Sequence, residues 1–256
     1  MRRQRAGGRA TGRSDPAPER EEAGVESLRH RLAGAATTLQ IDLPPLAVDS
    51  LLAFVGLLRR WNRVYNLTAL RDAEAMGTGH LIDCLAIVPA LRRYAAGRSL
   101  RVLDAGSGGG LPGVLLAIVF PAWEVVCADA VAKKAAFVRQ VAVDLQLGNL
   151  QALHSRVESL PGAERRFDLI VSRAFASLFD FTQWTAAAIA PGGVWAAMKA
   201  RPVAAELEWL PSGVELFHVE QLAVPGVDAE RCLVWMRQSS SAEQRYSIHG
   251  EDLLHR

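Results

Sequence analysis

Short apolar runs alternating with helical ones from Arg101 onward predict an α/β chain. Its sheet is mainly parallel, carries helices on both faces and closes with an antiparallel pair. Three observations carry this expectation. The runs RVLDAG, EVVCAD, LQALHS, FDLIVSRA and GVWAAMKA read as buried strands, and LPGVLLAIVF, VAKKAAFVRQVAVDLQL and Leu178–Ala190 read as crossover helices between them. GVELFHVEQLAV and RCLVWMRQ are β-rich but joined only by PGVDAE, too short for a crossover, so they pair antiparallel. A glycine-rich turn follows the first run directly.

Four segments divide the chain. Residues 1–24 are rich in Arg, Gly, Ala and Pro and read as a disordered tail. Residues 25–95 read as a helical lead-in: Leu51, Leu52, Val55, Leu58 and Trp61 form one apolar stripe, with Asp49 or Ser50 as the expected cap after Pro44-Pro45. A further helix is expected through His80–Leu91. Residues 96–238 form the α/β core, and 239–256 a second polar tail.

Composition narrows the class. The chain has 256 residues, 50% hydrophobic and 22% charged, which suits one sizeable core and excludes collagen-like, coiled-coil and wholly disordered chains. No apolar run approaches the roughly 18–20 residues needed to span a bilayer, so no membrane association is expected. Cys84, Cys127 and Cys232 fit neither a disulfide framework nor a paired metal spacing. A reducing, cytoplasmic setting without a metal site is expected, with a monomer as the default. Residues 1–24 hold six arginines against four acids, which leaves 23 basic and 23 acidic residues in the rest. A globally basic nucleic-acid footprint is therefore absent, and any RNA contact must come from local clusters or the tail.

The sharpest motif is Asp104-Ala-Gly106-Ser-Gly108-Gly-Gly110-Leu-Pro-Gly113. Glycines here allow a tight turn and a close ligand approach, and the helix expected from about Leu111 points its amides at the ligand. Counted from Gly106, a dinucleotide turn of the form G-x-G-x-x-G/A would need Gly or Ala where Leu111 stands. Asp104, Gly106, Gly108 and Gly110 instead fit the acid-x-G-x-G-x-G turn of class I methyltransferases, whose sheet also closes with an antiparallel hairpin. Asp104 is then expected to position the ammonium or sulfonium-bearing tail of S-adenosylmethionine. Asp129, 23 residues after Gly106, ends the second strand, where it can take the ribose hydroxyls or simply cap the next helix. Val157 and Glu158 fall after the third strand, where adenine can lie, and Arg173 after the fourth, where it can bind the cofactor carboxylate or an RNA phosphate.

With these residues in hand, the chain resembles the family of bacterial small-subunit ribosomal RNA methyltransferase G, also called glucose-inhibited division protein B. The resemblance is carried by Trp61-Asn-Arg-Val-Tyr-Asn-Leu-Thr68, His80-Leu-Ile-Asp83, the glycine turn, Arg156-Val-Glu158 and Ser172-Arg-Ala-Phe-Ala-Ser-Leu178, and runs from about Leu51 to Arg237. Cys84 stands where the family usually has Ser, and Ala200 where it has Gly. The resemblance implies methylation of N7 of one guanine of 16S rRNA near the decoding centre. The donor would be S-adenosylmethionine, the product S-adenosylhomocysteine, and the partner 16S rRNA or the small ribosomal subunit. By position it carries cofactor binding onto Gly106, Leu111, Val157, Glu158 and Arg173.

Guanine N7 offers a free lone pair, so no general base is required and the catalytic residue is left open. Lys199, at the end of the fifth strand, and Arg173 are the candidate substrate contacts; for Lys199 the alternative is a structural ion pair. Stacking candidates are Trp61, Tyr65, Phe175, Phe179 and Trp184, with core packing favoured for Trp61 and Trp184. Arg59, Arg60 and Arg63, Arg165 and Arg166, and Lys133 and Lys134 form local basic clusters. His80 with Asp83 reads as a helix-surface hydrogen bond rather than half a metal site. Two other readings compete: a methyltransferase for small molecules or protein, and a non-catalytic RNA-binding module with a vestigial cofactor pocket.

Overall fold

The computed structural model describes residues 17–65, 73–160, 166–200, 204–226 and 230–239. Four helices come first: α1 (Ala17–Thr38), α2 (Pro45–Tyr65), α3 (Ala73–Leu85) and α4 (Val88–Ala95). Then follow β1 (Arg101–Ala105), α5 (Gly113–Val119), β2 (Glu124–Asp129), α6 (Ala132–Asp144), β3 (Leu150–His154), β4 (Phe167–Arg173), α7 (Leu178–Thr185) and β5 (Ile189–Lys199). A short α8 (Ala204–Leu207) precedes the hairpin strands β6 (Val214–Leu222) and β7 (Arg231–Gln238). No helix among the described residues is long and apolar enough to cross a membrane.

All seven expected strands form one sheet in the order β3-β2-β1-β4-β5-β7-β6. β1 to β5 are parallel, and β7 runs antiparallel to both β5 and β6. The hairpin register shifts between Leu216 and His218, a local irregularity on the outermost strand.

Strand alternation sorts the side chains into two cores. Val102, Val125, Leu169, Val171 and Ala196 face a layer containing Leu32 of α1, Phe54 of α2, Leu85 of α3, Leu115 of α5 and Phe137 of α6. The helical lead-in therefore packs on the same sheet face as the first two crossover helices and shares their core. On the other face Leu103, Val126, Ile170 and Trp195 pack with Leu178 and Phe181 of α7. The indole nitrogen of Trp195 donates to Thr185 Oγ1 at 2.8 Å, so its burial leaves no unpaired donor.

Several boundaries differ from the sequence expectation. α1 begins at Ala17, inside the segment that reads as a tail, because Ala, Glu and Arg are strong helix formers and Leu28 and Leu32 anchor the helix further on. α2 begins at Pro45 rather than after Asp49 or Ser50, as proline suits a first helical position that needs no N–H. Ser50 Oγ instead donates to the Leu46 carbonyl, and Asp49 pairs with Arg29 of α1 at 2.9 Å. The helix expected across His80–Leu91 is two helices, with Pro89 in the first turn of α4. α7 stops at Thr185, and the residues from Ile189 onward begin β5 instead of extending that helix. Segments 1–16 and 240–256 lie outside the described residues, as do Asn66–Thr68 and Arg165.

Because the lead-in and the sheet share one core, Leu51→Ala is expected to cost about 2–5 kcal/mol. Urea unfolding followed by far-UV circular dichroism and by tryptophan emission should give one coincident transition, shifted to lower denaturant.

Candidate active site

The strand order reverses beside β1: its successor β2 lies on one side and β4 on the other. Such a switch point leaves a crevice at the carboxyl ends of the strands. Asp104, Asp129 and Arg173 all come to this edge.

Asp104 is fully buried near the end of β1. Its Oδ2 accepts the amide of Gly113, the first residue of α5, at 2.8 Å. That amide is thus turned inward rather than toward a ligand, and α5 begins two residues later than the sequence suggests. A Cβ on Gly113 would collide with Cys127 Sγ and stand 2.9 Å from Asp104 Oδ2, so glycine is required for the bond. Burial pushes the Asp104 carboxyl up to about 7, against the opposing pull of the Gly113 amide and the Arg173 charge. Its Oδ1 is buried with no partner.

Arg173 ends β4 two residues beyond Val171, the register partner of Asp104, and so projects from the same sheet face. Its Nη1 lies 2.7 Å from Nδ1 of His80 on α3, while its Nε is buried and unpartnered. Asp83, one helical turn beyond His80, accepts from Arg231 Nε at 2.9 Å. His80 and Asp83, which read from sequence as a helix-surface pair, thus belong to a chain of contacts joining α3, β4 and β7.

The glycine turn has the backbone that its composition demands: Gly106, Gly108 and Gly110 have φ of +66°, +56° and +87°. The space above Gly106 is taken by the ring of Phe175, which would collide with any Cβ there. Above Gly108 the turn is open, the Gly106 carbonyl oxygen standing 4.0 Å from where a Cβ would lie. Leu111 and Val157 are buried apolar residues; Val157 opens a single 3-10 turn and the following Glu158 is exposed.

Asp129 is buried and engaged on both oxygens. Oδ1 accepts from the Val131 amide at 2.8 Å and Oδ2 from the Gly108 amide at 2.9 Å, with Lys134 at 3.9 Å. The carboxylate thus holds the residue that precedes α6 and ties the glycine turn to β2. Lys199 likewise takes its structural alternative: Nζ donates to both carboxylate oxygens of Glu206, at 3.1 and 2.8 Å, and to the Ala176 carbonyl at 2.9 Å.

Of the aromatic candidates, Trp61 packs against Phe137, in keeping with its place on the apolar stripe. Trp184 differs: it is 38% exposed and meets the Phe175 ring edge-on at 5.8 Å. Ala174, between Arg173 and Phe175, is left-handed at φ +49°, an uncommon conformation for a residue with a side chain. The basic clusters of α2 and α6 are drawn together by Lys133, whose Nζ donates to the Tyr65 carbonyl at 2.8 Å.

The two unpartnered polar atoms test whether a cofactor fits. A carboxylate oxygen that lacks a donor and a guanidinium N–H that lacks an acceptor complement an ammonium and a carboxylate, the two charges of an amino-acid tail. S-adenosylmethionine carries such a tail, and the residues present fit it.

A family model described as rRNA small subunit methyltransferase G matches residues 47–234. The chain belongs to that family. Ribosomal RNA small subunit methyltransferase G of Paracidovorax citrulli is 52% identical over 86% of this chain and 93% of its own length. The same-named protein of Acidovorax ebreus is 52% identical over 82% of this chain and 96% of its own. Among solved structures, a SAM-dependent methyltransferase from Aquifex aeolicus superposes with a TM-score of 0.50 at 18% identity, covering 67% of this chain and 96% of its own. The glycopeptide N-methyltransferase MtfA, complexed with sinefungin, gives 0.50 at 13% identity over 61% of this chain and 94% of its own. These two likenesses speak for the fold, a class I methyltransferase sheet.

The raised Asp104 carboxyl makes a signed prediction. Between the unfolded value near 3.8 and the folded value of about 7 the native state holds the extra proton, so this group's contribution to stability falls as pH rises through that window. Asp104→Asn retains an acceptor for Gly113 but does not ionise. Thermal melts should show the variant gaining on wild type from mildly acid to mildly alkaline pH, while calorimetry shows weaker S-adenosylhomocysteine binding.

Proposed function

We propose that this chain transfers the methyl group of S-adenosylmethionine to N7 of a guanine in 16S rRNA. The observation that carries this reading is the presence of two unpartnered buried polar atoms, Asp104 Oδ1 and Arg173 Nε, at the switch point of a chain of this family. Arg173 Nε–H would hold the cofactor carboxylate and Asp104 Oδ1 its ammonium. Asp129 would accept ribose hydroxyls on lone pairs that its two amide contacts leave free. Leu111 and Val157 would wall the adenine, with Glu158 at its edge. When bound, the cofactor supplies an electrophilic methyl on a sulfonium.

The protein's own work is alignment. Guanine N7 presents a lone pair without a proton to remove, so the reaction asks for neither a general base nor a Lewis acid. Holding nucleophile and methyl in line can supply up to about 7–11 kcal/mol. The Phe175–Trp184 pair offers exposed aromatic surface beside the glycine turn for an unstacked base. Arg60 and Arg63 at the end of α2 and Lys133 at the start of α6 are cations suited to phosphates. This reading puts the enzyme in the cytoplasm with the ribosome. Lys199 is left with a structural part, fastening the loop after Arg173 through Ala176 and Glu206.

The test is to incubate the protein with methyl-labelled cofactor and either small subunits or naked rRNA, then map the label by cleavage specific for N7-methylguanine. Incorporation at one guanine is expected, and none in either substrate would overturn the reading. Trp184→Ala should lower kcat/KM for RNA about tenfold, the loss of one stacking contact, with S-adenosylhomocysteine affinity unchanged by calorimetry.

A further inference from the structure

His80 meets the Arg173 guanidinium from α3, outside the sheet. A guanidinium has only N–H donors, so at 2.7 Å the His80 Nδ1 must be the acceptor. The ring is then neutral and carries its proton on Nε2. We propose that His80 is a positioning residue for Arg173: its Nδ1 fixes the guanidinium so that the buried Nε–H is aimed at the cofactor carboxylate. The proposal rests on the reading of Arg173 given under Proposed function.

Three features support it. A long arginine side chain has many rotamers to lose, so a second anchor on the guanidinium preorganises its remaining N–H groups for binding. His80 is itself well placed to act as that anchor. Leu81, Ile82, Cys84 and Leu85 of the same helix are buried, and Asp83 is tied to Arg231 at the start of β7. The contact also joins residues far apart in the chain, one in the helical lead-in and the other at the cofactor edge. Through it α3 becomes part of the binding apparatus.

The contact has an acid limit. The charges bearing on the ring are Arg173 from β4 and Arg231 from β7, which disfavour a proton, and Asp83 on its own helix, which favours one. Burial is the largest influence and, with Arg173, holds the ring below its ordinary 6.5. Cys84 next to Asp83 is pushed up to about 12 and stays neutral. Protonating His80 would remove the acceptor and set two cations against each other. Affinity for S-adenosylhomocysteine should therefore fall in two steps as pH drops, first as Asp104 protonates near 7 and then as His80 does.

Calorimetry with S-adenosylhomocysteine across this pH range tests the proposal on wild type, Arg173→Ala, His80→Ala, His80→Asn and the double alanine variant. Folding is checked by circular dichroism and thermal melts. His80→Ala should bind about tenfold more weakly, as for a lost charge-assisted hydrogen bond, and the double variant no more weakly than Arg173→Ala. His80→Asn places a non-titrating acceptor where Nδ1 was. It should bind within about threefold of wild type at neutral pH and lack the lower acid step, keeping that of Asp104. Wild-type affinity in His80→Ala beside weakened binding in Arg173→Ala would overturn the role of His80 alone. Unchanged affinity in Arg173→Ala would overturn the reading of Arg173 itself. Should His80→Ala fail to fold, the ring nitrogen shifts of labelled wild type decide: a protonated Nδ1 at neutral pH refutes the contact, and an Nε2–H tautomer with an accepting Nδ1 supports it.

Discussion

Asp104 brings a carboxylate into the interior where β1 passes into α5, and its bond to the Gly113 amide fixes how that helix leaves the sheet. The geometry is exacting. Only glycine fits at position 113, between Cys127 and the carboxylate itself, and burial drives the group toward its neutral form. A buried acid with one oxygen unsatisfied carries a local desolvation cost. A cationic partner at Oδ1 would stabilise the ionised form. The glycine turn leaves β1 just beyond Asp104, and Arg173 stands two residues beyond Val171, the register partner of Asp104 on β4.

Much of this architecture is legible in the sequence because it is written locally. Strand runs, crossover lengths and the short PGVDAE connection define the parallel sheet and its antiparallel close, and the spacing of Asp104, Gly106, Gly108 and Gly110 matches the acid-x-G-x-G-x-G turn. What is not legible depends on distant partners. His80 meets Arg173 across 93 positions of sequence, and Lys199 meets the Ala176 carbonyl across 23. No periodicity reports such encounters. The left-handed Ala174 gives no signal either, since alanine in that conformation is set by its surroundings rather than by its own preference. Pro89 and Pro45 are visible, and their effect on helix boundaries follows from proline's fixed φ and missing N–H.

The loop from Ala174 to Ser177 is restrained at both ends. Arg173 is held by His80 on one side, while on the other Ser177 caps α7, Glu206 accepts the Leu178 amide at 2.8 Å and Lys199 holds Ala176. Phe175 consequently takes its place over Gly106 from two elements outside its own loop. This arrangement links the aromatic surface to the cofactor turn through ring packing, so any displacement of that ring exposes Gly106.

The irregular outer strand has a bearing on how chains meet one another. A sheet that ends in an open row of amides and carbonyls invites a further strand, from a second molecule or from an unfolded chain. β6 meets that hazard with Glu215 and Glu220 along its length, each bound to an arginine, and with the break in register between Leu216 and His218. Charge and a local kink deprive an incoming segment of a flat, apolar template at this margin of the sheet.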